Sequence, residues 1–146
     1  MISLSRKHID DLVEYSKKEA PSEACGILAG PPTPEEKFAA GRLRRISKVT
    51  KIYLMANADN SGQTFLMDPK EQLKVTKEIR TLGLEMVGIY HSHLETEAFP
   101  SSHDVKLAYY PDSSYVIVSI KDEASPSVRS FKIVEGKITE EEIEIK

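Results

Sequence analysis

Apolar residues near the start of the chain recur every three or four positions, as they do on the buried face of an amphipathic helix. The stripe begins at Ile9 and continues through Leu12 and Val13. Ser5 is placed to cap the first turn, and Pro21 stops the pattern. We therefore predict one helix between Ser5 and Pro21.

A second helix is predicted from its start signal. Asp68, Pro69 and Glu71 have the residue types that favour the N-cap and the first turn. Gly83 is typical of a helix end. The apolar residues between these points, Val75, Ile79 and Leu82, share one helical face. We predict a helix from Asp68 to about Leu82.

Short apolar runs between and after the helices predict buried strands at residues 24–29, 43–55, 86–90 and 115–120. Residues 43–55 are long enough for two strands or one bent strand. Polar or Pro-rich loops are predicted at 30–36 and 57–63. Residues 127–134 and 138–145 are predicted to close the chain as a hairpin around Gly136. This order predicts an α/β fold with a mixed sheet flanked by helices.

Length and charge narrow the class of protein. We predict a single domain over residues 1–146, with its core in about 2–120 and the C-terminal hairpin in about 127–145. The 20 basic residues are balanced by 23 acidic ones, which argues against a nucleic-acid partner. No apolar run reaches membrane-spanning length, so no membrane partner is expected. A single cysteine, Cys25, fits a reducing cytoplasm and excludes an internal disulfide.

The candidate chemistry lies just after the predicted strand at 86–90. His91 and His93 stand two residues apart in an extended segment, so their rings point to the same side. Asp104 follows after a Pro-Ser-Ser turn that can fold the chain back. Two imidazoles and one carboxylate, with a fourth position left to water, are typical ligands of a catalytic zinc ion.

Hydrolysis at such a metal also needs a group that moves a proton. Glu23 immediately precedes the buried strand at 24–29, whereas Glu95 and Glu97 lie in the loop after the histidines. Sequence distance alone does not choose among these three carboxylates.

The pattern His91-Ser92-His93, then Ser101 and Asp104, resembles the JAMM motif of the MPN-type metalloproteases. Residues 21–26, which include Glu23, are similar to the family segment that presents a catalytic glutamate ahead of a strand. Leu94 is a departure, since many members have proline after the second histidine. The short segment between Asp104 and the strand at 115–120 resembles the stand-alone prokaryotic members.

The resemblance implies an MPN domain with a cytidine-deaminase-like layout and one Zn²⁺ bound by His91, His93 and Asp104. Glu23 would be the general base and acid, and Ser101 would donate a hydrogen bond to the developing oxyanion. The implied partner is a ubiquitin-like β-grasp protein or a sulfur-carrier protein with a Gly-Gly tail. A homodimer is left open.

Three functions remain open at this point. The first is hydrolysis of the amide bond after the C-terminal Gly-Gly of a ubiquitin-like protein, as in a deubiquitinase-like isopeptidase. The second is release of an amino acid such as cysteine from a sulfur-carrier protein. The third is a non-catalytic MPN scaffold, which the complete residue set disfavours. A related zinc deaminase would need a pair of cysteine ligands, and the chain has one cysteine.

Two further positions are candidates for contacts with the substrate. In the family, the region of the loop at 57–63 can order over the substrate tail, so Asn60 and Phe65 are predicted to bind substrate. His103 is interpreted as a solvated helix residue, on a helix predicted at 102–109 and capped by Ser101 and Asp104. Cys25 is interpreted as a small core residue.

Overall fold

The computed structural model describes all 146 residues, Met1–Lys146. It contains three helices: α1 (Arg6–Glu19), α2 (Pro69–Thr81) and α3 (Ser102–Lys106). Its ten strands are β1 (Ile2–Leu4), β2 (Cys25–Gly30), β3 (Glu35–Ala39), β4 (Arg42–Lys48), β5 (Lys51–Met55), β6 (Glu85–His93), β7 (Ser114–Ser119), β8 (Ser127–Val134), β9 (Lys137–Glu141) and β10 (Ile143–Ile145).

Six strands form the central sheet in the order β5-β2-β6-β7-β8-β9. The pair β6 and β7 is parallel, and every other pair in this sheet is antiparallel. A parallel pair needs a crossover connection, and here residues 94–113 supply it and carry α3. The mixed sheet flanked by helices is confirmed.

The central sheet is buried on both faces because neighbouring residues of each strand point to opposite sides. One face packs Leu28, Tyr90 and Val116 against Leu12 and other residues of α1. The opposite face forms a second cluster with α2, whose members include Ile27, Ile89, Tyr115, Val75 and Ile79. His91 and His93 follow Ile89 at intervals of two, so they lie on the α2 face.

A second sheet of four strands, in the order β10-β1-β4-β3, was not predicted. The hairpin expected at 127–145 is formed by β8 and β9, but β10 leaves it and pairs in parallel with β1. Ile143 and Ile145 are out of phase with the preceding strand, and the second sheet gives them apolar partners in Ile2 and Leu4. The hairpin also contributes to the core, since Phe131 is fully buried.

The remaining differences concern element ends. The segment 43–55 forms two strands, β4 and β5, while the loop expected at 30–36 is shorter because β2 includes Gly30 and β3 begins at Glu35. Helix α3 ends at Lys106 rather than at residue 109. Its C-cap is Leu107, and farther along Pro111 disfavours a helical conformation at Tyr110. None of the helices has the length and apolar character needed to cross a membrane.

Candidate metal centre

The centre lies where β6 ends and the crossover to β7 begins. Strand β6 extends through His93, so both histidines are held in the sheet rather than in the following loop. The backbone of His91 is paired on both sides, with Cys25 on β2 and Ile117 on β7, and His93 is paired with Ser119 on β7. The crossover then places Asp104, on α3, against the two rings.

The three predicted ligand side chains come together. His91 Nε2 and His93 Nε2 are 3.1 Å apart, and each is 3.1 Å from Asp104 Oδ2. Adjacent ligands of a tetrahedral zinc ion with bonds near 2.0 Å are about 3.3 Å apart. Two imidazole nitrogens and one carboxylate oxygen at this spacing, all buried, therefore fit a zinc ion on one side and leave its fourth position open.

Neighbouring groups set the orientation of the two rings. His93 Nδ1 lies 2.8 Å from the Glu97 carbonyl oxygen, so Nδ1 carries the proton that it donates and Nε2 keeps its lone pair. The ring of His91 stacks on Phe65, with centroids 4.7 Å apart and an interplanar angle of 21°. His91 Nδ1 is buried without a hydrogen-bond partner, so packing holds this ring.

Asp104 is fixed by the cap of its own short helix. Asp104 Oδ2 accepts from the Ser101 backbone N–H at 2.9 Å, and the Asp104 N–H donates to Ser101 Oγ at 3.1 Å. This reciprocal pair is the capping box expected from the sequence. Because Ser101 Oγ acts here as an acceptor and the residue is exposed, its hydroxyl hydrogen is free to donate to another group.

Burial and mutual contacts shift the pKa values of the three ligand side chains in different directions. Burial lowers the pKa of His91. Burial also acts to lower the pKa of His93, but the hydrogen bonds with Asp104 and the Glu97 carbonyl, together with the negative charges of Asp104 and Glu23, outweigh it and the net pKa is raised. For Asp104 burial acts upward, and the hydrogen bonds with the two histidines hold the pKa well below its usual range. The carboxylate is thus ionised, as a metal ligand must be.

Glu23 lies two residues before β2 and is 3% exposed. Its Oε1 is buried and has no hydrogen-bond partner. Burial raises the pKa of Glu23 to about 7, with opposing contributions from nearby His93 and Asp104. A carboxyl group that titrates near neutral pH is suited to accepting and returning a proton.

The loop 57–66 covers the centre from the side of β2. Gly62 packs so closely that a Cβ there would lie 2.8 Å from the Pro21 carbonyl oxygen. The same loop brings Phe65 onto His91. Asn60 is exposed with a positive φ of 47° and makes no side-chain hydrogen bond. Of the two predicted substrate contacts, only Phe65 reaches the centre.

Sequence reasoning missed two residues that build the site. Ser92 belongs to the motif without an assigned role, but it is fully buried and its Oγ accepts from the Ala24 N–H at 2.8 Å. Asn57 was part of an unassigned loop, and its amide bonds to the backbone of Glu23. The position of Ser92 inside the motif was a signal that could have identified it. No signal in the sequence distinguished Asn57.

The other candidates lie outside the centre. Glu95 is exposed, as is His103 on the outer side of α3. Glu97 contributes its backbone carbonyl rather than its carboxylate. Cys25 is fully buried, and its thiol lies 3.7 Å from the Met55 carbonyl oxygen, which confirms it as a core residue.

A family model described as prokaryotic homologs of the JAB domain matches residues 5–134. The chain therefore belongs to this family. It is an enzyme of the JAMM type, and the curated relatives that it matches are named as a peptidase, a desampylase and a probable conjugate-cleaving protease.

Three curated relatives cover most of the chain. The CysO-cysteine peptidase of Mycobacterium tuberculosis is 37% identical over 137 residues, which are 94% of this chain and 86% of the relative. The probable TtuB-protein conjugate cleaving protease of Thermus thermophilus is 33% identical, over 94% and 79%. The desampylase of Pyrococcus furiosus is 32% identical, over 83% and 74%.

Solved structures agree with the fold. A protein from Desulfitobacterium hafniense superposes with a TM-score of 0.83 at 36% identity, covering 100% of this chain and 93% of that one. A JAB1/MPN domain protein from Archaeoglobus fulgidus has a TM-score of 0.58 at 19% identity, covering 99% and 95%, and it supports the fold alone.

Proposed function

We propose that this enzyme is a zinc-dependent metallopeptidase that hydrolyses the amide bond after the C-terminal Gly-Gly of a ubiquitin-like sulfur-carrier protein. The observation that carries the proposal is the buried set of His91, His93 and Asp104, with donor atoms 3.1 Å apart. The buried carboxyl group of Glu23, whose pKa burial raises to about 7, supports it.

Zn²⁺ held by the three ligands would polarise the scissile carbonyl group and acidify a water molecule. Glu23 takes the proton from the attacking water and returns it to the departing amine. Its buried, unpartnered Oε1 and raised pKa suit both transfers, since a catalytic acid and base works best when its pKa is near the working pH.

Ser101 and Phe65 have separate tasks in this scheme. The free hydroxyl hydrogen of Ser101 donates to the oxygen on which negative charge develops. Phe65 shields one face of His91 from water and would contact the tail of the substrate. Glycine has no side chain, so a Gly-Gly tail can lie extended in a narrow groove.

The names of the relatives support a ubiquitin-like or sulfur-carrier substrate and are compatible with two different leaving groups. One is named as a CysO-cysteine peptidase, and others as a conjugate-cleaving protease and a desampylase. We favour cysteine as the leaving group, because the relative named for it has the higher identity and coverage. A lysine side chain of a modified protein is the second candidate.

Substitution of Glu23 separates the proposed chemistry from metal binding. Glu23→Gln removes the proton carrier but none of the three ligands, so it should keep about one zinc ion per chain and lose turnover. The substrates are a β-grasp sulfur carrier joined through Gly-Gly either to cysteine or to a lysine side chain, with products separated by mass. Wild-type turnover of neither conjugate, or full activity of Glu23→Gln, would contradict the proposal.

Comparing the cleavage rates of the two conjugates identifies the leaving group. Faster cleavage of the cysteine conjugate would support the amino-acid-releasing peptidase, and faster cleavage of the lysine conjugate the isopeptidase. A scaffold would bind the carrier and cleave neither.

A further inference from the structure

Asn57 has an unusually complete set of hydrogen bonds for a residue in a loop. Its Nδ2 donates to the carbonyl oxygens of Thr64 and Glu23 at 3.0 and 3.1 Å, with a longer contact of 3.4 Å to that of Ser61. Its Oδ1 accepts from two backbone N–H groups at 3.0 Å each, those of Asp59 and Leu66. One side chain thus holds both ends of the loop 57–66.

The chemistry of the partners fixes which way the amide faces. Every group near Nδ2 is a carbonyl oxygen, and both groups near Oδ1 are N–H donors. Only an amide provides donors on one side and an acceptor on the other. A carboxylate of the same shape would set an oxygen against the carbonyl oxygens of Glu23 and Thr64.

Asn57 holds both backbone polar groups of Glu23, the carbonyl oxygen directly and the N–H through the loop. The Glu23 carbonyl oxygen accepts directly from Asn57 Nδ2. The Glu23 N–H donates to the Ser61 carbonyl oxygen at 2.7 Å, within the loop that Asn57 closes. The next residue, Ala24, is held independently, because Ser92 pairs with both its N–H and its carbonyl oxygen.

We propose that Asn57 is a positioning residue: it fixes the backbone of Glu23 through the loop 57–66 and so aims the carboxyl group at the metal centre. This inference rests on the role of Glu23 in the proposed function. Asn57 contacts backbone only, so its loss should misdirect Glu23 without removing a metal ligand. Misplacing a catalytic group by about 1 Å can cost on the order of 100-fold in rate.

The test compares Asn57→Asp with Gln72→Glu on zinc-loaded protein. Both substitutions turn an amide into a carboxylate, but the Gln72 side chain, on α2, makes no hydrogen bond. The measurements are zinc content, kcat and KM for the carrier–cysteine conjugate, and hydrogen exchange of the Glu23 and Ala24 amides by NMR.

We expect Asn57→Asp to keep about one zinc ion per chain and to lower kcat about 10- to 100-fold, with KM changed by less than about threefold. Exchange at the Glu23 amide should accelerate about tenfold or more, while the Ala24 amide, held by Ser92, stays protected. Gln72→Glu should match the wild type in every measurement.

A kcat near the wild-type value, loss of zinc, or equal acceleration at Glu23 and Ala24 would each overturn the positioning role. If wild-type protein cleaves neither conjugate, the proposed function fails instead. The exchange measurement still decides whether Asn57 holds Glu23, since it needs no turnover, and unchanged exchange at Glu23 would overturn the inference.

Discussion

The two halves of the metal centre are built in different ways. The ligand half, at the end of β6 and the start of α3, brings together residues no more than 13 positions apart in the chain. The half that presents Glu23 depends on partners 34 and 68 positions away, namely Asn57 bonding to Glu23 and Ser92 bonding to Ala24. The ligands of the first half are close to one another in the chain, whereas the second half joins segments that are far apart in it.

The difference predicts how each half responds to damage. The ligand half contains its own stabilising contacts, such as the capping box of Ser101 and Asp104. Substitutions there should alter metal binding, or the stabilisation of the negative charge that develops on the substrate oxygen beside the metal. The Glu23 half has no ligands, so changes there should alter turnover and pH response while the metal stays bound.

The largest effect is expected from removing a ligand. Asp104→Ala takes away the one carboxylate that faces both histidines, so zinc should fall well below one per chain and turnover should drop by about 10³-fold or more. Elemental analysis and the conjugate assay measure both quantities. His103→Ala, on the same helix but exposed, is the matched control and should keep its zinc. Full zinc occupancy in Asp104→Ala would remove that residue from the ligand set.

A smaller effect is expected from Ser101→Ala, which leaves all three ligands in place. Loss of the oxyanion donor should reduce kcat by about 10²–10³-fold with zinc retained. The helix cap is lost as well, at a cost of about 1 kcal/mol in the free energy of unfolding. Ser101→Thr keeps the hydroxyl group and the cap, so it should restore most of the rate. If Ser101→Thr is as slow as Ser101→Ala, the hydroxyl group is not the donor.

The smallest effect concerns the stability of the zinc-free protein. Because the pKa of Glu23 is raised to about 7, the folded state favours the protonated carboxyl group. Its contribution to stability is complete below the unfolded pKa near 4.5 and is lost as the pH rises to about 7. Glu23→Gln has no such loss, so it should be about 2–3 kcal/mol more stable than the wild type at pH 8 and similar to it at pH 4.5.

Urea unfolding at the two pH values measures this difference. Glu95→Gln removes the charge of an exposed side chain and is the control for the loss of one carboxylate. If the difference in the free energy of unfolding between Glu23→Gln and the wild type is the same at pH 4.5 and pH 8, burial does not raise the pKa of Glu23.

The contrast between the halves also explains what the sequence could predict. The spacing of His91, His93 and Asp104 indicated a site because a strand end and a short crossover leave few ways to arrange them. The capping box of Ser101 and Asp104 and the start of α2 at Asp68 are also local signals, and all of these are present in the structure.

What the sequence could not show depends on contacts distant along the chain. Nothing in the loop 57–66 distinguishes Asn57 from Asn60, yet one organises the loop and the other is exposed. The second sheet was missed because β1 and β10 have three residues each and come from opposite ends of the chain. Their pairing is a tertiary interaction that no local pattern records.

The buried position of Cys25 has a consequence for redox chemistry. Burial raises the pKa of its thiol to about 12, so at neutral pH almost none of it is thiolate, the form that attacks disulfides and oxidants. With no accessible thiol of its own, the enzyme can meet an oxidised thiol without forming a mixed disulfide. The cysteine that the proposed reaction would release therefore meets no reactive thiol on the enzyme.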